Sequence, residues 1–189
     1  MLIRILAFLL ETLFFVLIGA ALLRAWMNWV RVNMSAQPGS FVMALTDWLV
    51  KPLRRALPKS LTRSRVDWAS VLAAVLLALV YALLWGALFG MLLESTYWTS
   101  GFAPMAVLAL LLFALKMMVR VALQTLLILV LGYAILSWIQ PGSPVYGLLA
   151  RLTEPLLTPI RRMIPTIGGV DLSTLVLLVL LQIGLMVLV

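Results

Sequence analysis

The feature that most constrains this chain is a short segment that occurs twice, each time between two long apolar runs. Residues 46–58 read TDWLVKPLRRALP and residues 153–165 read TEPLLTPIRRMIP, so Thr, an acid, Leu, Pro, two Arg and a final Pro align. Each copy is followed by Val-Asp and an apolar run, and each is preceded by an apolar run that ends at a Trp. The chain therefore encodes one unit of apolar run, Pro-Arg-Arg-Pro segment and apolar run, written twice.

The apolar runs predict an integral membrane protein. Hydrophobic residues make up 65% of the 189 positions, against about 45–50% in soluble globular proteins. We predict an all-α membrane protein with four transmembrane helices, arranged as two parallel repeats. The first repeat covers residues 1–93, an external loop covers residues 94–104, and the second repeat covers residues 105–189. The first run resembles a signal peptide, but the repeat requires a retained helix there, so we expect no cleavage.

The third apolar run is longer than a single span requires. Residues 105–138 would make about 51 Å of helix, against about 30 Å of hydrocarbon. Either one long tilted helix projects from the bilayer, or residues 105–115 form a separate interfacial or re-entrant piece. A single crossing puts both Arg-rich loops on one face, as the positive-inside tendency favours. We therefore expect both termini outside and both Arg loops in the cytoplasm.

Each Pro-Arg-Arg-Pro segment, residues 45–58 and residues 152–165, predicts a bent amphipathic helix in the cytoplasmic interface. Leu or Ile recurs every fourth residue, and Thr46 and Thr153 suit the helix start. The internal prolines should kink or interrupt the helix. We predict a surface for anionic lipid headgroups or a membrane-protein partner; the alternative is a topology anchor with no specific partner. The residues of this surface are Pro52, Arg54, Arg55, Pro58, Pro159, Arg161, Arg162 and Pro165.

Charged residues inside the apolar runs align across the repeats. Glu11 and Arg120 each lie 18 residues before the Trp that ends their run, so a Glu–Arg pair fits a parallel bundle. Ionisable groups in spans are functional candidates, yet 18 residues are about 27 Å of helix, which places both near the outer headgroups. We interpret Glu11, Arg120 and nearby Lys116 as interfacial charges that snorkel or pair for assembly. Arg24 and Arg31 at the end of the first run are interpreted as snorkelling cations.

Small residues recur every fourth position in the second apolar run, which ends in GxxxG. This spacing lets two helix backbones approach closely. A helix of the same chain is the simpler neighbour, and a second copy of the chain, in a homo-oligomer, is the alternative. The packing positions are Ala78, Ala82, Gly86 and Gly90.

Composition also excludes several kinds of site. The chain has no His and no Cys, which removes the usual ligands of zinc, haem iron, iron–sulfur clusters and blue copper. No residue spacing assembles a catalytic group, so we predict no catalytic residue, no metal, no cofactor and no enzymatic activity. The net charge is +8. The basic residues flank apolar runs, so we expect anionic lipid as the partner and not nucleic acid. Asp67 and Asp171 are interpreted as helix caps, with an ion or proton-relay role as the alternative.

The sequences PLRRALP at residues 52–58 and PIRRMIP at residues 159–165, each followed by Val-Asp and an apolar run, resemble the duplicated signature of the YggT (YlmG) family. The resemblance covers essentially the whole chain and implies a small multi-span protein of the bacterial inner membrane. Members of that family are associated with osmotic tolerance and potassium handling in proteobacteria, with division-related gene neighbourhoods in other bacteria, and with cytochrome b6 assembly and nucleoid distribution in plastids. The resemblance supplies no catalytic residue.

Two functions are compatible with these features. The leading hypothesis is a non-enzymatic membrane scaffold or assembly factor whose paired arginine segments recruit anionic lipid or a membrane partner. The competing hypothesis is a small channel or ion-transport accessory that takes part in osmotic adaptation.

Overall fold

The computed structural model describes residues 1–33, 39–58, 66–92, 104–163 and 172–188, and the regular elements in these ranges are α-helices. The helices are α1 (Leu2–Trp29), α2 (Gly39–Ala56), α3 (Trp68–Leu92), α4 (Pro104–Ile139), α5 (Pro144–Met163) and α6 (Leu172–Leu188). Helices α1, α3 and α4 are long and apolar enough to cross a membrane, and α6 is a shorter apolar helix. The prediction of an all-helical fold with membrane-length apolar helices is confirmed.

The core of the bundle forms where α3 packs against α1, with α4 in contact with both helices. Small side chains of α3 let the helices approach closely. The stripe that recurs every fourth residue is buried in this core from its start, at Ser70, Ala74, Ala78 and Ala82. Gly86 is half-buried, and the surroundings of Gly90 lie outside the described residues. The buried part of the stripe therefore serves packing within the chain, and a second copy as its neighbour stays a prediction.

Helices α1 and α4 run in the same direction, as a parallel repeat requires. Near the start of α1, Arg120 Nη1 lies 3.6 Å from Glu11 Oε1. Further along, a Cβ on Gly19 would lie 3.2 Å from Thr125 Oγ1. The end of α1 then shares an apolar cluster with Leu129. Contacts that advance together along both helices are possible only when the two axes are parallel.

Helix α4 is continuous over 36 residues. Residues 105–115 are therefore part of the long helix, and the alternative of a separate interfacial or re-entrant piece is wrong. At 1.5 Å per residue α4 is about 54 Å long, so it must tilt or project beyond about 30 Å of hydrocarbon. The predicted external loop at residues 94–104 lies outside the described residues, except that Pro104 begins α4.

The parallel arrangement can be tested with cysteine pairs, because the chain has no cysteine of its own. We expect the Glu11→Cys/Arg120→Cys variant to be linked within one chain by a short bis-maleimide, since these side chains lie within ion-pair distance. The control Glu11→Cys/Trp138→Cys moves the second thiol about 27 Å along α4 and should stay unlinked. Equal yields of linked peptide, measured by mass spectrometry, would contradict the arrangement.

Helices α2 and α5 lie at the same end of the bundle, on opposite sides of α1. Arg24 of α1 donates hydrogen bonds to the side chains of Thr46 and Asp47 in α2. Trp26 Nε1 donates a hydrogen bond of 3.0 Å to the carbonyl oxygen of Leu152 in α5. Residues two positions apart on a helix point about 200° apart, so the end of α1 passes between α2 and α5.

Helices α2 and α5 both start earlier than the repeated segment predicts. Helix α2 begins at Gly39 and α5 begins at Pro144, so Thr46 and Thr153 lie inside the helices and the prediction that they are caps is wrong. Each hydroxyl donates to the carbonyl four residues earlier at 2.7 or 2.8 Å. This hydrogen bond satisfies the buried hydroxyl within the helix. At a helix start, a Thr hydroxyl would instead accept a hydrogen bond from a free backbone N–H group.

The prolines of the repeated segments do not interrupt the helices. Helix α2 continues through Pro52, and α5 continues through Pro155 and Pro159. Pro52 and Pro159 are exposed, so the carbonyl that loses its intrahelical donor can face solvent or headgroups. Pro58 follows the end of α2 and is exposed. Pro165 lies outside the described residues.

Candidate functional site

The end of the bundle that holds α2 contains a buried network of charged side chains. Arg24 is 5% exposed, and its Nη1 donates hydrogen bonds of 2.8 Å to Thr46 Oγ1 and to Asp47 Oδ1. Its Nε lies 3.9 Å from Asp67 Oδ2, at the start of α3. A guanidinium group carries five donors in one plane, so a single arginine contacts α2 and the beginning of α3 together. These charge-assisted contacts hold α2 against the bundle.

Asp67 is the second centre of this network. Its Oδ2 accepts hydrogen bonds of 2.6 Å from Arg54 Nη2 and of 2.9 Å from Ser70 Oγ. Asp67 precedes α3 directly, as predicted for a helix cap, but its carboxylate also joins the end of α2 to the start of α3. Arg54 therefore has a structural partner. Asp171, the counterpart of Asp67, lies outside the described residues.

The second repeat uses a tyrosine where the first uses a buried arginine. When the Trp residues that end the two runs are aligned, Tyr133 takes the place of Arg24. Arg161 Nη2 donates a hydrogen bond of 3.1 Å to the Tyr133 hydroxyl, and Arg161 Nη1 lies 3.5 Å from Glu154 Oε2. The ring of Tyr133 stacks on Tyr146, with 5.4 Å between centroids. Helix α5 is thus held by an aromatic stack and a phenol, whereas α2 is held by buried ion pairs.

The two arginines of each doublet have different surroundings. Arg54 is about half exposed, at 49% of its side chain, yet it bonds to Asp67, and Arg161 bonds to Tyr133. Arg55 and Arg162, the second member of each doublet, are exposed. The two arginines of each doublet therefore differ in role. The first arginine bonds its helix to the bundle, and the side chain of the second is exposed.

Exposed cations are concentrated at this end of the bundle. Two of the acids nearby, Asp47 and Glu154, already have a basic partner, in Lys51 and Arg161 respectively. The end also exposes Trp138 at 84%. A positive surface beside apolar spans attracts anionic headgroups and acidic partners. The exposed cations on the described residues of this end are Arg31, Lys51, Arg54, Arg55, Arg151 and Arg162.

The network makes the stability of the fold depend on pH through Asp47 of α2. The pKa of Asp47 lies below its ordinary value of 3.8, because Lys51 donates a hydrogen bond to its carboxylate and Arg24 adds a second. Since the folded pKa is lowered, ionised Asp47 stabilises the folded state above the unfolded pKa, and this contribution is lost as pH falls through the folded pKa.

We expect the stability difference between the wild type and Asp47→Asn to be constant from neutral pH to about pH 5 and to shrink below about pH 4. Thermal unfolding in detergent across this range measures the difference. A difference that is unchanged at the lowest pH at which the protein refolds would contradict the assignment.

The other predicted charges lie at the opposite end of the bundle. Glu11 of α1 and Arg120 of α4 form an ion pair, and each side chain is 42% exposed. Lys116 lies one turn earlier on α4 and is exposed. The pair connects the two repeats physically, and its role in assembly stays a prediction. Within the described ranges, no group of three or more His, Cys, Asp or Glu side chains lies close enough to hold a metal ion.

Two residues of the site are not predicted by the sequence patterns. Arg24 is interpreted from its neighbours, Trp26 and Trp29, as a snorkelling cation, but it is buried and paired. Tyr133 has no polar neighbour in sequence that would mark it. The repeat alignment could have identified both residues. It places a polar side chain at the same position of both apolar runs, an arginine in the first and a tyrosine in the second.

Comparison with known proteins gives consistent matches over most of the chain. A family model described as CCB3/YggT matches residues 3–88 and 112–189. An Escherichia coli K12 protein described as "Uncharacterized protein YggT" is 34% identical over 179 residues, which cover 94% of this chain and 86% of that protein. A Vibrio alginolyticus protein, "Uncharacterized protein in proC 3'region", is 36% identical over 177 residues, with coverage of 93% and 89%. No solved structure gives a significant match.

Proposed function

The chain belongs to the CCB3/YggT family, and on that basis we propose that it is a non-enzymatic scaffold or assembly factor of the bacterial inner membrane. Its working surface is the basic end of the bundle, where α2 and α5 engage anionic lipid or a membrane-protein partner. Family membership and three long apolar helices support the membrane location. The 17 residues of α6 cover about 26 Å, so we propose this helix as a fourth span and the basic end as cytoplasmic.

The observation that carries this proposal is the position of both arginine-bearing helices at one end of the bundle. Arg24 and Trp26 of α1 each contact one of these helices, and the second arginine of each doublet is exposed. Each cation close to an anionic membrane surface contributes about 1 kcal/mol of attraction. Several such cations at the same end as exposed Trp138 form a surface suited to binding, and the helices that carry them are held by the bundle.

The same network supports a role without catalysis. A general acid or base must be free to exchange a proton with a substrate. Asp47 and Asp67 are instead bonded to Lys51, Arg24 and Arg54. The bonds from Arg24 and Arg54 use the carboxylates to hold α2 against α1 and the start of α3, so both acids have a structural role.

Photo-crosslinking in intact membranes tests the proposal. A photoreactive residue at Trp138 samples the basic end, and one at Met186, which is 80% exposed, samples the end of α6. We expect anionic phospholipid or one specific membrane protein to be linked at position 138, and the bulk lipid mixture at position 186. The same adducts in the same proportions at both positions would contradict a dedicated surface at the basic end.

Ion flux separates the scaffold from the competing channel. The charges Glu11, Lys116 and Arg120 lie on the apolar helices, and a conduction role would use them. We expect purified protein in liposomes to leave potassium flux at the level of protein-free vesicles. Flux from purified protein, abolished by Glu11→Gln with the fold intact, would reject the scaffold and favour the channel.

A further inference from the structure

We propose that the outward face of α2 binds an anionic phospholipid, with Arg55 and Lys51 on the headgroup phosphate and Trp48 and Phe41 at the acyl boundary. The inference rests on the proposed function and deepens it. It assigns the lipid to one of the two basic helices and to one arginine of that helix's doublet.

The four residues form a single stripe. Phe41, Trp48 and Arg55 are spaced by seven residues, which is two turns to within about 20°. Phe41 is 64% exposed and Trp48 is 61% exposed. Lys51, one turn beyond Trp48, has 67% of its side chain exposed. The opposite face of α2 is buried against α1 and α3, so the stripe is the face that the bundle leaves open.

The aromatic half of the stripe suits an apolar layer. Trp48 Nε1 donates a hydrogen bond of 2.8 Å to the carbonyl oxygen of Leu45, so the polar atom of the indole is satisfied within the helix. The ring borders a small gap together with Leu17 of α1 and Leu77 of α3. Both leucines pack in the core and belong to membrane-length helices, so Trp48 lies at the edge of the apolar core, where it is 61% exposed. Tryptophan at such a position is typical of the membrane interface.

The cationic half of the stripe suits a phosphate. Arg55 lies about 10.5 Å along the helix from Trp48, which separates a ring at the acyl chains from a guanidinium at the headgroup. A guanidinium binds phosphate oxygens in a bidentate manner, and an ammonium adds a point charge. Arg54 is held by Asp67 at 2.6 Å, so it fixes the end of α2 and leaves the phosphate to Arg55. Lys51 donates to Asp47 at 2.7 Å, and its ammonium has two further donors for the phosphate.

Helix α5 has no equivalent stripe, and it therefore offers a matched control. The positions that align with Phe41 and Trp48 are Leu148 and Pro155, and both are half-buried. Arg162 is thus an exposed arginine of the same doublet position without an adjoining aromatic face.

Native mass spectrometry of the full-length protein tests the site, with phosphatidylglycerol as the anionic probe and phosphatidylcholine as the neutral one. We expect Arg55→Gln to weaken binding of phosphatidylglycerol about fivefold and to leave binding of phosphatidylcholine unchanged. Trp48→Ala should weaken binding of both lipids, because the ring contacts acyl chains. Arg162→Gln should stay within about twofold of the wild type. All three side chains are mainly outside the core, so thermal unfolding should confirm that each variant is folded.

Each contrary outcome has a distinct meaning. Equal losses in Arg55→Gln and Arg162→Gln would overturn the assignment to α2 while the proposed basic surface stands. Unchanged binding in Arg55→Gln would overturn the inference outright, and the absence of a crosslinked partner at position 138 would then also count against the proposed function. Loss of bound phosphatidylglycerol on addition of inorganic phosphate at equal concentration would show that the site takes free phosphate in place of a lipid.

Discussion

Replacing Arg24 by Leu is expected to lower the free energy of unfolding by about 3 kcal/mol. Arg24 is 5% exposed and bonds to Thr46 and Asp47, so its loss removes these hydrogen bonds and the ion pair between α1 and α2 and leaves the apolar packing of the two helices. The carboxylate of Asp67 also loses its second cation, 3.9 Å away. A buried charge that loses a partner keeps its desolvation penalty without the full compensating attraction. Unfolding in mixed detergent micelles measures the change.

The matched control for this variant is Arg55→Leu, which removes an exposed arginine from the same end of the bundle. We expect a change below about 1 kcal/mol, as is usual for exposed charges. Backbone amide hydrogen exchange should accelerate in α2 of the Arg24→Leu variant and stay unchanged in α5. The reason is that Arg24 bonds to α2 and not to α5. A loss as small as that of the control, or equal acceleration in both helices, would contradict the role given to the network.

Replacing Gly19 by Leu is expected to destabilise the fold by about 1–3 kcal/mol through overpacking. A Cβ at this position would lie 3.2 Å from Thr125 Oγ1 and 3.7 Å from Val121 Cγ1, so α1 and α4 leave no room for a larger side chain. Thr125 cannot turn away freely, because its hydroxyl donates to the carbonyl oxygen of Val121 at 2.8 Å. The substitution therefore pushes the two repeats apart.

Gly147→Leu in α5 provides the comparison, since nothing lies within 4 Å of a Cβ built on Gly147. Both positions are inside helices, so replacing Gly by Leu changes the helix propensity similarly in the two variants. The difference in their stability therefore reports the effect on packing. We expect the Gly147 variant to be as stable as the wild type or more stable. Equal destabilisation of the two variants would show that close approach of α1 to α4 does not contribute to stability.

The repeat alignment predicts the arrangement of the bundle well, because duplicated units impose their relationship on the fold. It places Glu11 and Arg120 at similar depth, and the two form an ion pair between helices that run in the same direction. It also predicts an amphipathic helix around each arginine doublet. These properties follow from spacing along the chain, which the sequence displays directly.

Properties that depend on how a helix rotates about its axis could not be predicted in the same way. Arg24 has the sequence neighbours of a snorkelling residue, and only the packing of α2 onto α1 turns it into a buried ion-pair partner. The different roles of Arg54 and Arg55 arise for the same reason, since Asp67 approaches one side of α2. The start of α2 at Gly39 lies outside the repeated segment, so a pattern defined by the repeat cannot mark it.

We propose that one end of the bundle is the binding surface, and two double variants of equal charge test this claim. Arg55→Gln/Arg162→Gln removes two cations from the basic end, and Arg4→Gln/Lys116→Gln removes two from the other end. The measurement is the yield of lipid and protein adducts at a photoreactive residue at position 138. We predict that the first variant lowers this yield at least about fivefold and that the second keeps it within about twofold. Equal reductions in both variants would show that net charge governs the interaction, and would contradict the claim.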